Sequence, residues 1–226
     1  MPSTLRSAAV ASTLDRLLAA EERQDVAAAF AAAGVDVTAD YPVELSPAEL
    51  AERAKDIIMA VSPEAGQLLH LFARSIGART VVEFGASFGI SALYLASAVR
   101  DNGGGRVITT EFQADKARRA RENFAAAGLD DIIELREGDA LETLRTLPDT
   151  VDLLHLDGWP TLRLPVLDLV RPRLRPGAIV VVDDIDLDVG LNIREEFLAH
   201  VDDPANGFLS MRIPVHQGVQ LCLNLG

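Results

Sequence analysis

The stretch that most constrains this chain is Val81-Val82-Glu83-Phe84-Gly85-Ala86-Ser87-Phe88-Gly89. Residues 81–84 are apolar with one carboxylate, too short for a helix and rich in β-formers, which predicts a buried strand. Two glycines four apart follow, and residues 90–99 then run apolar at helical spacing. Strand, glycine turn, helix is the unit in which backbone N–H groups and a helix N-terminus face a ligand. The dinucleotide fingerprint G-x-G-x-x-G does not fit, because Ala86, Ser87 and Phe88 separate the glycines. What fits is acidic-x-Gly-x-x-x-Gly, carried by Glu83, Gly85 and Gly89. A glycine turn without a ligand would share that pattern, so the rest of the chain decides.

Downstream, strands alternate with helices, which predicts an α/β fold: a doubly wound, Rossmann-like sheet, mostly parallel, with helices on both faces. Strands are expected at 81–84, 106–111, 132–136, 151–157 and 178–183, and a final antiparallel pair at 208–213 and 219–225 makes seven. Upstream, residues 1–60 read as a helical appendage and 61–226 as the ligand-binding domain. The appendage starts with one alanine-rich helix ended by Gly34, for which a lid, a homodimer face and plain packing are all open readings. Ser46-Pro47-Ala48-Glu49 is a capping box that opens a helix expected to run to residue 60. Ser62-Pro63 opens another, to residue 76.

Composition excludes some function classes. The net charge is −13, from 21 basic and 34 acidic side chains, with no basic stripe, so a nucleic-acid partner is not expected. No long apolar span or signal-peptide layout appears, which predicts a cytoplasmic chain without a membrane partner. The single Cys222 cannot form an internal disulfide and reads as a packed thiol.

Ligands of open parallel sheets bind beyond the carboxyl ends of the strands. Here those ends carry Glu83, Glu111, Asp139, Asp157 and the pair Asp183-Asp184. One such acid is commonly a helix cap, but acids at five strand ends repel unless something compensates them. Glu111 could hold two ribose hydroxyls or cap the next helix, and Asp139-Ala140 could reach an adenine edge or start a helix. Asp157, Asp183 and Asp184 are hard oxygen donors of the kind that suit Mg²⁺, Mn²⁺ or Ca²⁺.

The acidic-x-Gly-x-x-x-Gly turn resembles motif I of the class I S-adenosylmethionine-dependent methyltransferases. Asp157-Gly158-Trp159, Pro165, Leu174-Arg175-Pro176-Gly177 and Asp183-Asp184 resemble the metal-dependent O-methyltransferases of the catechol and caffeoyl-CoA type. That resemblance runs from about residue 59 to 226. It implies S-adenosylmethionine as cofactor, with Val61 and Ser91 at the methionine carboxylate and Glu83 with the Gly85 backbone at its amino end. It further implies Glu111 at the ribose, Asp139 and Ala140 by the adenine, and Trp159 packed on the cofactor. Asp157, Asp183 and Asp184 would ligate a divalent cation such as Mg²⁺, with Asp157 counted as catalytic. Trp159 has a plain core position as its other reading.

Two departures stand out. The family has Asp-Asn where this chain has Asp183-Asp184, and a lysine base where this chain has Pro160. The stretch between Asp184 and Leu191 is also short. The expected activity is methyl transfer to a hydroxyl of a small catechol-like or phenolic acceptor, assisted by the metal. A metal-independent methyltransferase, a non-catalytic nucleoside-binding protein and a nicotinamide dehydrogenase are the rivals. His155 and His216 could each replace the absent base or be structural.

Overall fold

The computed structural model describes residues 3–35, 45–187 and 192–226. Seven strands form one sheet in the order β3-β2-β1-β4-β5-β7-β6. The strands are β1 (Thr80–Phe84), β2 (Arg106–Glu111), β3 (Ile133–Glu137), β4 (Val151–Leu156), β5 (Leu174–Val182), β6 (Phe208–Ile213) and β7 (Val219–Asn224). The first five are parallel; β7 pairs antiparallel with β5 and with the edge strand β6. A βαβ crossover must return over a sheet face, so successive crossovers cover both faces.

Side-chain alternation divides the core. Val81, Leu153 and Val181 face a layer built on α4 (Pro63–Ser75), α5 (Ile90–Asp101) and α6 (Ala114–Ala127). Val82, Leu154 and Val180 face the other layer, from α7 (Ala140–Thr143), α8 (Arg163–Val170) and α9 (Ile193–Asp202). α5 is buried from Ile90 to Val99, which is why its sequence lacks a polar stripe.

The N-terminal region differs from the expected single helix. α1 (Ala8–Glu22) stops, and α2 (Val26–Ala32) restarts with Asp25 accepting from the Ala28 N–H at 2.9 Å. α1 buries Val10, Leu14 and Leu17 in the first core layer, and Arg16 Nη2 donates to Asn123 Oδ1 at 2.7 Å. Each buried leucine contributes about 1.5–3 kcal/mol. The helix opened by the Ser46 capping box, α3 (Pro47–Arg53), ends well before residue 60. The cause is tertiary: the Gln24 amide accepts from the Ile58 N–H at 3.0 Å and donates to the Ile58 carbonyl at 3.3 Å. Those bonds hold the chain out of helix, with Ile57 buried against Phe30 and Leu50.

Smaller differences concern boundaries. β5 begins at Leu174, earlier than expected, and α8 begins at Arg163, two residues before Pro165. Part of the stretch between Asp184 and Leu191, and the start of the last expected helix, lie outside the described residues.

Candidate active site

Beyond the carboxyl ends of β1, β2 and β4, where strand order reverses, lies a cavity of about 610 Å³. Its floor is the turn after β1. Gly85 sits at φ 100°, and a Cβ there would lie 2.6 Å from the Asp157 carbonyl oxygen. Gly89 caps α5 at φ 89°, where a Cβ would lie 2.3 Å from the Phe124 ring. Both glycines of the motif therefore answer to left-handed backbone and close approach. Between them Ser87, at φ 47°, donates its N–H to Glu111 Oε2 at 2.8 Å. Its Oγ is buried without a partner, and the residue lines the cavity.

One end of the cavity is polar. Glu111 accepts from Ser87 N–H and, through Oε1, from Gln113 N–H at 2.9 Å, which fixes the carboxylate and leaves lone pairs on both oxygens. Burial pushes Glu111 up from the usual carboxylate range, and the Gln113 N–H, Lys116 and Ser87 N–H pull it back. Gln113 caps α6, so the cap and the carboxylate are separate residues. Asp139 starts α7, capping it through the Leu141 N–H at 2.8 Å, and it lines the cavity with Ala140. Lys116 is 3% exposed and also reaches the cavity wall. Burial drives its ammonium down to about 8, against the attraction of Glu111 and Asp56.

Much of the remaining lining is apolar, with Glu21 beside it. Val26, Phe30, Ala51, Met59, Trp159 and Leu162 belong to that apolar part. Trp159 packs on the cluster of Phe30, Leu50 and Ile57, so the N-terminal helices complete this side of the cavity. Apart from Trp159, these residues were invisible in sequence, since they have no chemistry of their own.

Where the two ends meet stand Asp157, Asp184, His216 and Arg163. Asp157 is pushed well above the usual carboxylate range, by burial first and then by Asp183, Asp184 and Glu83. Asp183 is raised too, by burial and by Asp184. Asp184 holds a left-handed φ of 50°, and its Oδ1 pairs with His216 Nδ1 at 3.2 Å; His216 is itself at φ 48°. Two non-glycine residues in the left-handed region thus face each other at the cavity.

The expected metal ligands do not assemble. Among the described residues no three His, Cys, Asp or Glu side chains are placed to hold a metal ion. Asp184 turns to His216, while Asp183 is buried off the cavity with Oδ1 unpartnered. The donor chemistry suits a hard cation, but the geometry does not converge.

Other expected residues also stand apart. Gly85, Glu111, Asp139, Ala140, Asp157, Trp159 and Asp184 line the cavity; Val61, Glu83, Ser91 and Asp183 do not. Val61 is buried in the first core layer and Ser91 in the first turn of α5. Glu83 is fully buried inside the sheet, accepting from Thr109 Oγ1 at 2.5 Å and pairing with His155 Nδ1 at 3.2 Å. His155 is thus tied into the sheet and turned from the cavity, whereas His216 opens onto it. Ser87, Lys116 and Arg163 were not anticipated; their signal, a polar residue near a strand end, is too common to stand out.

Comparison with known proteins gives a consistent picture. Residues 82–185 match a family model described as "Methyltransferase domain". Catechol O-methyltransferase of Mycobacterium tuberculosis is 37% identical over 128 residues, 56% of this chain and 57% of that enzyme. The alignment thus spans little more than half the length of that curated relative. Among solved structures, the O-methyltransferase TomG from Streptomyces achromogenes, involved in tomaymycin synthesis and bound to S-adenosylmethionine, superposes with a TM-score of 0.70. It is 30% identical, and the match covers 79% of this chain and 88% of TomG. The O-methyltransferase from Bacillus cereus shares the fold at a TM-score of 0.68 and 24% identity, over 94% of this chain and 90% of that one.

Proposed function

Because this chain belongs to the class I S-adenosylmethionine-dependent methyltransferases, we propose that it methylates a hydroxyl of a small, largely apolar acceptor of the catechol or phenol type. The observation that carries the proposal is a single cavity with a hydrogen-bonding nucleoside end, an apolar wall, and an acidic junction between them.

Bound S-adenosylmethionine supplies an electrophilic methyl group. Glu111, already fixed by two N–H donors, holds the ribose hydroxyls; Asp139 and Ala140 lie toward the adenine. The Gly85 turn lets backbone approach the ligand without a side chain between. Val61, Ser91 and Glu83 act behind this wall, as packing and as the buried Glu83–Thr109–His155 set. Trp159 and Phe30, packed in one cluster, offer an apolar surface to a flat ring, and burial of the acceptor there supplies orientation.

The acceptor proton needs a destination, and Pro160 has no titratable group. His216 has Nδ1 engaged by Asp184, which leaves Nε2 as the acceptor facing the cavity. No step is routed through a metal, since the three aspartates do not form a ligand set.

Calorimetry with S-adenosylmethionine, followed by transfer of a labelled methyl group to a panel of catechols and phenols, tests the reading. Folded protein that binds neither the cofactor nor its demethylated product would overturn it. Binding without turnover of any hydroxylated acceptor would favour a nucleoside-binding protein.

A further inference from the structure

Arg163 is placed where helix electrostatics alone would not put it. It opens α8, and the N-terminus of a helix carries partial positive charge, so a cation there is disfavoured. It is also 4% exposed, and a buried guanidinium requires compensation. Both costs have one visible answer. Nη2 donates to the Asp183 carbonyl at 2.9 Å and to the Asp184 carbonyl at 3.4 Å, and the charges nearest the group are Asp157, Asp184 and Asp183. Its Nε remains buried without a partner, as does Asp183 Oδ1.

The route that brings it there is local. Pro160 starts a single tight turn, Pro160–Leu162, closed by the Leu162 N–H on the Trp159 carbonyl at 2.9 Å. That turn runs directly into Arg163. Pro160 thus replaces a side chain that could have carried charge, and the turn it sets delivers a charged side chain three residues later. Guanidinium stays protonated under all ordinary conditions, so this cation cannot leave by titration.

We propose that Arg163 is the resident cation of the acidic junction, standing where a divalent ion would otherwise be needed, so that the site keeps its shape and charge without metal. Asp157, Asp183 and Asp184 with one cation and His216 beside them form a smaller net negative charge than three bare carboxylates, and the backbone at 183–184 is pinned by the same group. Arg163 acts through the Asp183 and Asp184 main-chain carbonyls it holds and through its charge near the carboxylates, and is a positioning residue. The activity arm of the test rests on the methyl-transfer reading; the metal-binding arm does not.

The test is a Mn²⁺ titration of chelator-treated protein, read by the paramagnetic resonance of free Mn²⁺, alongside melting curves with and without Mg²⁺. Wild type should leave the free-ion signal undiminished and its melting temperature unmoved. Arg163→Met should melt lower and then take up about one Mn²⁺ per chain with recovery of much of the lost melting temperature, because carboxylates stripped of their cation recruit another. Stoichiometric Mn²⁺ uptake by wild type would overturn the proposal, and so would an Arg163→Met protein that folds but still ignores metal. Arg163→Gln, which keeps hydrogen-bonding capacity without charge, serves if the methionine variant does not fold. If neither folds, the wild-type titration decides. Catechol methylation by wild type should also survive exhaustive chelation, and methylation that needs added Mg²⁺ would refute the inference. No methylation under any condition would count against the methyl-transfer reading, with the Mn²⁺ arm still deciding the role of Arg163.

Discussion

Replacing Lys116 with methionine should stabilise this protein at neutral pH, and the gain should vanish in alkali. Lys116 is 3% exposed, and desolvation outweighs the pull of Glu111 and Asp56, lowering its ammonium from 10.5 to about 8. At about 1.36 kcal/mol per pH unit, keeping that charge inside the fold costs about 3 kcal/mol. The sign follows from proton counts. Between about pH 8 and 10.5 the unfolded chain holds the lysine proton and the folded chain does not, so wild-type stability rises with pH across that window. Below it the whole cost is present; above it none remains. Methionine keeps an unbranched stem of similar length while removing the charge, together with the ammonium's approach to the Phe88 ring at 5.8 Å. Lys116→Met should therefore be about 3 kcal/mol more stable than wild type near pH 7, which is about 6–12 °C in melting temperature for a chain of this size. Urea denaturation of both proteins at matched pH gives the difference directly, with titrating groups remote from Lys116 common to both. An advantage absent near pH 7, or undiminished near pH 11, would refute the reasoning and mean that the ammonium is hydrated in the folded state.

Glu111→Ala should remove two charge-assisted hydrogen bonds to the ribose, each worth about 1.5–3 kcal/mol at most, and weaken cofactor binding at least tenfold by calorimetry. Gly85→Ala should cost at least about 1–2 kcal/mol from left-handed backbone alone, with the 2.6 Å approach to the Asp157 carbonyl added, so its melting temperature should fall and cofactor binding with it. His216→Gln should lower kcat by about 10²–10⁴-fold while leaving cofactor affinity near wild type, and raising the pH should restore part of the rate as the acceptor ionises by itself; unchanged kcat would remove His216 from the mechanism. With a net charge of −13, no salt-sensitive binding to RNA or DNA is expected in gel shifts at low salt.

The sheet was legible in the chain because its determinants are local. A strand buried on both faces must be apolar for its whole length, a glycine turn must follow where the backbone turns left-handed, and parallel strands require a helix between them. Hence β1, β2, β6 and the two motif glycines could be placed from residues alone, and the acids at the strand ends identified the rim where a ligand sits. Side-chain direction and partnership are not local. Whether Glu83 would meet a ligand or the sheet depended on Thr109 and His155, distant in sequence and adjacent only after the strands pair. The length of α3 depended on Gln24 claiming the backbone of Ile58 across 34 residues. Three aspartates in the right places read as a metal site, but a carboxylate spacing says nothing of where each oxygen points or which cation is already there. Nor does spacing show Arg163 beside them, whose place on the Asp183 and Asp184 carbonyls requires the Pro160 turn, the start of α8 and the end of β5 to be in place together.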